Sequence, residues 1–382
     1  MTDVLVIDAI RTGIGKKDGI LKDVHPVDLL VPVLQQLVDR NKLDSKQIDD
    51  VVTGCATMTG EQGVNIGRLA VLAADFPVEV PAFSLNRLCG SSQQAIHNAS
   101  QAIAAGDMDI VIACGVESMS QVPMGSDVGS FSDSLVDKHA IIPQGFSAEQ
   151  IAERWNLSRE SQDEFALLSH QRAIEAIDEG YFEREIIPLE IEKDGDVKVF
   201  QVDEGVRRET SLEKLGTLRP AFLPDGGTVT AGNASQMSDG AAGLLLMSAS
   251  KAKELQVQPR AKIIARVVIG EDPILMLTGV IPATKKVLEK AGLTIDDMDV
   301  IEINEAFASV IQAWEKEIKP DMKRVNPRGG AIALGHPLGA SGTRLATTLL
   351  HTLEDKKGKY GLQVMCIGFG MATATIYERM SN

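Results

Sequence analysis

LDSKQIDDVVTGCA at residues 43–56 and LTIDDMDVIEINEA at residues 293–306 carry one pattern twice. Each stretch contains the end of a helix, an Ile-Asp-Asp turn and an apolar strand. Counted from the isoleucine of each turn, Cys89 in the first copy and His336 in the second both lie 41 residues further on. Segments that repeat the same features in the same order indicate an internal duplication.

The features that follow each copy also match. Cys89 and His336 each begin a turn rich in glycine, with serine in both (CGSSQQ and HPLGASGTR), and each turn is followed by a helical pattern. A strand then ends at a cysteine in both copies, DIVIACG at Cys114 and LQVMCIG at Cys366. Short apolar strands that alternate with helical patterns predict an α/β fold in which helices cover the sheets. We therefore expect two duplicated βαβ-type halves.

The segment between the two copies has a different character. It holds two capped helical patterns and then a charged stretch interrupted by glycine and proline. We interpret residues 118–239 as an inserted loop domain. The N-terminal half is then expected at residues 1–117 plus 240–254, and the C-terminal half at residues 255–382. A chain of 382 residues is too long for one ordinary core, which agrees with two or three packed units.

Composition and charge argue against several classes of protein. A net charge of −15 disfavours a nucleic-acid partner, because a phosphate backbone needs a basic surface. The apolar runs are far shorter than the ~20 residues of a membrane span. The four cysteines are widely separated and lack metal-binding spacing, so we expect no metal site and no disulfides. The start of the chain lacks the charge order of a signal peptide, and reduced thiols suit the cytoplasm, where we expect this protein.

Cys89 is the first candidate for chemistry. Apolar residues follow it at helical spacing until Gly106, so the cysteine lies at or just before a helix N-terminus. Free backbone N–H groups and the helix dipole favour a thiolate there, and a thiolate is nucleophilic. Most free cysteines, however, are small buried apolar residues, and Cys89 alone could be one of them.

Four further candidate residues are equally ambiguous when taken singly. His336 lies among glycines that suggest close approach of the backbone to another group, although a loop histidine is usually structural. Cys366 precedes CIGFG glycines that could form an anion-binding nest, or merely a turn. Asn304 and Glu305 follow a strand and could equally cap a helix. Together, two thiols and a histidine beside glycine-rich backbone meet the needs of acyl transfer, namely nucleophile, base and oxyanion donors.

Six motifs along the chain resemble the thiolase family in content and order. They are NRLCGSSQQA, CGVESM, TAGNASQMSDGAA, EINEAFA, GGAIALGHPLGASG and CIGFG. The resemblance covers essentially the whole chain, and the NRLCGSS and ATIYERM segments are most similar to bacterial 3-ketoacyl-CoA thiolases of fatty-acid β-oxidation. It implies a layered αβαβα core with an inserted loop domain.

The resemblance also implies a role for each catalytic residue. Cys89 attacks the substrate and becomes acylated, and His336 activates that thiol and lines one oxyanion hole together with a water held by Asn304. Cys366 acts as the acid and base, and the backbone N–H groups of Cys89 and Gly368 form the second oxyanion hole. No cofactor is implied, since coenzyme A is a substrate.

The insert is expected to bind coenzyme A, which is anionic. The resemblance assigns Arg207 to the nucleotide end, and Ala231 and Ser235 to the pantetheine. Arg208, Lys214 and Arg219 lie in the same stretch. Scattered basic residues more often form a solvated face, and that alternative stays open here.

The chain departs from the common family pattern at several positions. None of these removes a catalytic residue, but they leave the preference for acyl-chain length open, and Gln144 and Phe369 are expected near the substrate channel. The positions are Gly13, Gln144, Leu277, Val280, Arg328, Phe369 and Ala372.

The leading expectation is thiolytic cleavage of 3-ketoacyl-CoA by CoA, through an acyl-Cys89 intermediate. Synthesis of acetoacetyl-CoA from two acetyl-CoA would use the same residues and is the first alternative. A thiolase-fold protein that binds acyl-CoA or lipid without chemistry is the second. The resemblance further implies a homodimer or a dimer of dimers, and association with other β-oxidation enzymes is compatible with it.

Overall fold

The computed structural model describes residues 2–193 and 195–380. The strands are β1 (Val4–Thr12), β2 (Gly15–Lys16), β3 (Asp50–Gly54), β4 (Ala82–Leu85), β5 (Ile110–Ser118), β6 (Ile186–Ile187), β7 (Leu189–Lys193), β8 (Asp196–Phe200), β9 (Ser238–Ser248), β10 (Ala261–Gly270), β11 (Val300–Ile303), β12 (Tyr360–Ile367) and β13 (Met371–Arg379). The α-helices are α1 (Pro26–Arg40), α2 (Ile66–Ala73), α3 (Ser91–Ala105), α4 (Asp133–Val136), α5 (Gln144–Arg154), α6 (Arg159–Asp178), α7 (Leu212–Gly216), α8 (Ala249–Glu254), α9 (Val280–Ala291), α10 (Ala308–Ile318), α11 (Ala331–Leu334) and α12 (Ser341–Asp355).

The order of the strands repeats about the middle of the sheet. The path runs β11-β12-β13-β10-β1-β9-β5-β3-β4. Outward from the centre, β1-β9-β5-β3 on one side corresponds to β10-β13-β12-β11 on the other. The pairing directions correspond as well, antiparallel for the two inner pairs and parallel for β5–β3 and β12–β11. The predicted duplication is therefore confirmed, and β1 joins the halves by a short antiparallel pairing with β10.

Helix α3 shows why the first repeat folds as predicted. Ala95, Ile96, Ala99 and Ile103 recur at helical spacing and are almost fully buried. Gly106 ends the helix in the left-handed region, with φ of 89°, which an L side chain adopts only with strain. Burial of each isoleucine contributes on the order of 1.5–3 kcal/mol, so packing of this face holds the helix in place.

The helices form layers on both sides of each half of the sheet. α3 and α12 pack against each other in the middle and bury their apolar faces between the two halves. α1 and α2 cover the outer face of the N-terminal half. α9 and α10 cover the outer face of the C-terminal half. This is the expected αβαβα order, which places the N-termini of the two middle helices at the centre of the molecule.

The segment between the halves contains α4 to α7 and the β7–β8 hairpin. The two helices predicted from its capped patterns correspond to α5 and α6, and Ser158 caps α6 through the Ser161 N–H. α5 and α6 both pack on α10 of the C-terminal half. The proposed domain limits at residues 118–239 and 240–254 stay a prediction.

Candidate active site

The two middle helices begin next to each other because glycine lets their backbones approach. A Cβ on Gly342, in the first turn of α12, would lie 2.1 Å from the Gln93 nitrogen in the first turn of α3. Cys89 stands just before α3, and His336 stands in the turn before α12. The duplication therefore brings these residues, 247 positions apart, to one place.

The ends of two parallel strands supply the other groups. β11 pairs with β12 so that Ile303 faces Val364, and Asn304 and Cys366 follow at the same edge of the sheet. The Asn304 side-chain nitrogen lies 3.5 Å from Cys366 Sγ and 3.4 Å from His336 Nε2. Asn304 Oδ1 is buried and has no partner among the described residues. Asn304 thus links the histidine to the second thiol.

The Cys89 thiol is protected from solvent, with 4% of the residue exposed. Burial first, and then the nearby Cys366, raise its pKa to about 12. Hydrogen bonds from the backbone N–H groups of Gly368 and Cys89 and from the Gln144 side chain oppose this rise. The thiolate expected at this helix N-terminus is therefore not the resting form, because desolvation outweighs the donors.

His336 is held as a neutral base. Its Nδ1 lies 2.5 Å from Ser341 Oγ, and that hydroxyl donates its one hydrogen to the Pro337 carbonyl at 2.8 Å. Ser341 therefore accepts the Nδ1 hydrogen, and Nε2 keeps a lone pair. Burial and the Arg344 charge lower the pKa of His336 to about 3. Nε2, which faces the Asn304 amide, is the ring nitrogen that can take a proton.

Cys366 is fully buried at the end of β12. Burial raises the pKa of its thiol, and the hydrogen bond from Asn304 lowers it in part. A thiol with a raised pKa keeps its proton at neutral pH and can deliver it to a basic carbanion. Such a thiol suits the acid role that the resemblance implies for Cys366, and that role stays a prediction.

Gly368 belongs to a turn whose backbone amide faces the first thiol. The next residues, Phe369 and Gly370, have φ of 58° and 76°, so the chain reverses sharply before β13. The Gly368 N–H acts to lower the pKa of the Cys89 thiol. Gly90 lets the two segments meet, because a Cβ there would lie 2.3 Å from the Ile367 side chain. Two backbone donors thus converge beside Cys89.

Two residues that support the site were not assigned from the sequence. Ser341 fixes the tautomer of His336. Glu117, buried on β5, accepts from the Ala56 and Gly339 N–H groups at 2.8 and 2.7 Å. It also accepts from Gln62 and Thr57. Glu117 lies in the CGVESM motif, within an otherwise apolar strand. A carboxyl group in such a position is unusual, and this feature of the sequence could have identified Glu117 as a structural residue.

Of the residues expected to bind coenzyme A, Arg207 lines a surface cavity, and Ser235 lies beside the segment that follows Asn304. A surface cavity of about 500 Å³ is lined by residues that include Arg207, Lys214, Leu215 and Leu218. Gly232, next to Ala231, contacts both leucines. The Ser235 N–H donates to the Ala306 carbonyl at 2.8 Å, two residues beyond Asn304.

The basic residues of this stretch have different environments. Arg208 bonds to Asp178 at 2.6 Å, with both side chains about half exposed. The Lys214 ammonium donates to the Glu209 carbonyl. Arg208 therefore fits a solvated surface pair. Arg207 lines the cavity together with Arg208 and Lys214, so the cavity lining does not distinguish Arg207 from its neighbours.

The positions that depart from the family pattern fall into two groups. Gln144 and Phe369 adjoin the catalytic turn, and Phe369 is 44% exposed with its ring edge-on to Phe131. The others lie in packed or structural positions. Leu277, Val280 and Ala372 are core residues, Gly13 abuts Phe200, and Arg328 pairs with Asp355 and stacks on Tyr181.

These groups together are equipped for one type of reaction. Cys89 and Cys366 are buried thiols whose pKa values are raised, His336 is a neutral imidazole, and glycine-rich backbone lies beside Cys89. Such a set defines an acyl-transferring enzyme. Among the described residues, no three His, Cys, Asp or Glu side chains cluster as a metal site requires.

The chain belongs to the thiolase family. The family profile described as "Thiolase, N-terminal domain" matches residues 4–250, and "Thiolase, C-terminal domain" matches residues 257–379. The similarity to the family was thus read correctly from the six motifs.

Two relatives extend over the full chain. A steroid 3-ketoacyl-CoA thiolase of Mycobacterium tuberculosis is 49% identical and is covered over 95% of its length by all of this chain. A 3-ketoacyl-CoA thiolase of Klebsiella pneumoniae is 46% identical, with both chains covered completely.

Solved structures confirm the fold. The acetyl-CoA acetyltransferase of Bacillus anthracis superposes with a TM-score of 0.93 at 40% identity, covering 100% of this chain and 99% of the other. Human mitochondrial 3-ketoacyl-CoA thiolase gives a TM-score of 0.92 at 38% identity, with the same coverage. No helix within residues 2–193 and 195–380 has the length and apolar content of a membrane span.

Proposed function

We propose that this enzyme cleaves 3-ketoacyl-CoA with CoA, giving acetyl-CoA and an acyl-CoA shortened by two carbons. The observation that carries the proposal is the meeting of Cys89, His336, Asn304 and Cys366 in one buried centre, reached from both halves of the chain. The similarity to two bacterial 3-ketoacyl-CoA thiolases supports the same reaction.

The first half-reaction forms the acyl-enzyme. Cys89 Sγ attacks the C3 carbonyl of the substrate while His336 Nε2 takes the thiol proton. The electron pair of the carbonyl moves to its oxygen. When the carbonyl re-forms, the C2–C3 bond breaks, and the departing acetyl-CoA carbanion takes a proton from the Cys366 thiol. The acyl group is left on Cys89.

The second half-reaction restores every group. The Cys366 thiolate takes the proton of the CoA thiol, and the CoA sulfur attacks the acyl-Cys89 thioester. The Cys89–acyl bond breaks as the new thioester forms, and the leaving sulfur recovers its proton from His336. The backbone N–H groups of Cys89 and Gly368, which both act to lower the pKa of the Cys89 thiol, stabilise the negative oxygen in this step.

Proton transfer and attack must be coupled. A thiol with a pKa of about 12 beside an imidazole with a pKa of about 3 does not form an ion pair at rest. The bound carbonyl supplies the driving force, since the charge passes on to an oxygen that donors stabilise. The resting enzyme is then a neutral thiol and a neutral imidazole.

Coenzyme A enters as a substrate, and we assign its nucleotide to the cavity beside Arg207. The basic lining suits the phosphates of an anion in an otherwise acidic chain. We assign the neutral pantetheine arm to Ala231 and Ser235, because Gly232, next to Ala231, lies beside the cavity residues Leu215 and Leu218, and the Ser235 N–H donates to the Ala306 carbonyl, two residues beyond Asn304.

Synthesis of acetoacetyl-CoA is the second candidate. The structural similarity to the Bacillus anthracis acetyl-CoA acetyltransferase favours it specifically. Both directions use the same residues, so the chain length of accepted substrates decides between them.

We also propose that two copies of the chain associate through β4. This strand is the exposed end of the sheet, and such an edge invites pairing. Phe83 on β4 and Leu69 and Leu72 on α2 are 38–44% exposed and form one apolar surface with it. Sedimentation analysis of wild-type protein and of the Phe83→Asp variant tests this association.

The buried free cysteines agree with a cytoplasmic location, where other β-oxidation enzymes would act on the same substrates.

The experiment is a thiolysis assay across 3-ketoacyl-CoAs of increasing chain length. We expect CoA-dependent release of acetyl-CoA and of the shortened acyl-CoA from medium and long substrates. Activity confined to acetoacetyl-CoA would favour the second candidate, and failure to cleave any member of the series would remove the proposal.

A further inference from the structure

Gln93 connects the helix that follows Cys89 to the strand pair that contains Cys366. It lies in the first turn of α3, four residues after Cys89, and is fully buried. Its side-chain oxygen accepts a hydrogen bond from the Thr373 hydroxyl at 2.7 Å, and its amide nitrogen donates to the Thr375 hydroxyl at 2.8 Å. One side chain therefore contacts β13 at two points, on two threonines that share a face of the strand.

The strand pairing carries this contact directly to Cys366. Met365 lies opposite Thr373 in the antiparallel pairing of β12 with β13, and Cys366 is the next residue of β12. The path between the two thiols is therefore a short run of chain, one buried hydrogen bond and one strand pair. Because alternate residues of a strand share a face, displacement of α3 along β13 would separate the amide of Gln93 from both hydroxyls.

Gln93 also lies against the start of α12, the helix that follows His336. The Gln93 backbone nitrogen is the atom that a Cβ on Gly342 would meet first. The Gln363 amide of β12 donates to the Gly342 carbonyl at 2.5 Å and accepts from the Tyr377 hydroxyl at 2.9 Å. The segments that carry the two thiols and the histidine therefore meet at this glutamine.

The network around Gln93 is buried and carries no charge. Thr373 and Thr375 are fully buried, and the oxygen and nitrogen of the Gln93 amide both have a partner. His97 Nε2 lies 2.8 Å from the Thr375 hydroxyl, and burial lowers the pKa of His97 to about 3, so the ring is neutral. A buried polar network whose groups are paired favours one arrangement, because a displaced arrangement leaves a polar group unpaired.

We propose that Gln93 is a positioning residue that sets the separation of the Cys89 and Cys366 thiols. It acts through the backbone of α3 on one side and through β13 on the other. The inference rests on the proposed function, in which Cys89 attacks the substrate and Cys366 protonates the departing carbanion in one turnover. Both sulfurs must then reach the same substrate, and a misplacement of about 1 Å can lower a rate about 10²-fold.

The test compares thiolysis of a 3-ketoacyl-CoA with alkylation of Cys89 by iodoacetamide, in wild type and in Gln93→Met. Methionine has a similar length, but it has no N–H to donate and its sulfur accepts only weakly. We expect kcat to fall about tenfold, less than for a full 1 Å misplacement, because the other contacts of β12 remain. The alkylation rate should stay within about twofold of wild type, since alkylation needs the Cys89 thiolate and not Cys366.

Gln93→Glu is the conservative variant that should restore the two contacts. Burial in an uncharged network raises the pKa of a carboxyl, so the new side chain is expected to be protonated. It then offers an oxygen to the Thr373 hydroxyl and an O–H to the Thr375 hydroxyl, as the amide does. We expect its kcat to lie within about threefold of wild type, because one hydrogen-bond pattern replaces the other.

Thr284→Val is the control for a general loss of stability. Thr284 on α9 is equally buried and accepts from the Trp314 indole N–H of α10 at 2.9 Å, on the outer side of the C-terminal half. This variant should lose a similar amount of stability and keep its kcat, and thermal midpoints establish that each variant is folded.

Three results would overturn the positioning role of Gln93. They are a folded Gln93→Met enzyme with the kcat of wild type, an alkylation rate that falls as far as kcat, and a Gln93→Glu enzyme as slow as Gln93→Met. Failure of the wild-type enzyme to cleave any 3-ketoacyl-CoA would remove the proposed function and this inference with it. The two failures are distinct, because the first three results are differences or equalities among variants of an active enzyme.

Discussion

Replacing Ser341 by alanine should slow the enzyme by removing the group that orients its base. Ser341 Oγ accepts the Nδ1 hydrogen of His336 over 2.5 Å in a site that water does not reach. When Nε2 takes the Cys89 proton, the imidazole becomes positive and this hydrogen bond becomes charge-assisted. Such bonds contribute about 1.5–3 kcal/mol, compared with about 1 kcal/mol for a neutral one.

The additional strength of the charge-assisted hydrogen bond stabilises the transition state, in which the imidazole is positive. A loss of about 1–2 kcal/mol there lowers kcat about 5- to 30-fold. In the variant, the ring hydrogen of His336 can also move from Nδ1 to Nε2. That tautomer has no lone pair at Nε2 to accept the Cys89 proton, so kcat falls further. KM should change little, because Ser341 contacts Nδ1 of the histidine and not Nε2, the nitrogen that faces Asn304.

The assay is steady-state thiolysis of a 3-ketoacyl-CoA, with kcat and KM separated. Ser100→Ala is the control, since Ser100 is equally buried and donates within α3 to the His97 carbonyl at 2.9 Å. The control should lose a similar amount of stability and keep its kcat. A Ser341→Ala enzyme with kcat within twofold of wild type would refute the role given to this hydroxyl.

Three further variants or conditions test other parts of the site. Cys366→Ala should still become acylated but lose turnover about 10²- to 10⁴-fold, as followed by intact mass and by thiolysis, and retained turnover would reject its role as acid. Glu117→Gln replaces one carboxylate oxygen, an acceptor of N–H groups, by an amide donor. The free energy of unfolding should fall by about 3 kcal/mol, which lowers the thermal midpoint by about 4 °C in a protein of this size. Burial raises the pKa of the Cys89 thiol to about 12. The thiolate fraction of Cys89, and with it the rate of alkylation, should therefore rise about tenfold per pH unit from pH 6 to 9. A plateau of the alkylation rate near pH 7 would instead show that Cys89 forms an ion pair with His336.

The sequence predicted the parts of the fold that depend on local order. The repeated turns and strands predicted two matching halves, because each half must bury its own helices against its own strands. The same logic placed Cys89 and His336 in corresponding turns. Gly106 ended α3 where predicted, since a left-handed residue is a local property of the chain.

The sequence did not predict interactions between distant segments. Ser341 follows His336 closely, yet nothing in HPLGAS indicates that its hydroxyl turns back to the ring. Glu117 holds loops that come from three parts of the chain. The pKa of Cys89 differs from the expected low value for the same reason, because the burial of its thiol depends on β12 and α5. Such effects depend on tertiary packing and not on any local pattern.

The most direct test of the account is the mass of the protein after mixing with acetoacetyl-CoA. We predict one acetyl adduct, located by peptide mapping at Cys89 and not at the buried Cys55, Cys114 or Cys366, and absent from Cys89→Ala. An adduct that persists in Cys89→Ala, or no adduct on the folded wild-type enzyme, would contradict the claim that Cys89 carries the acyl group.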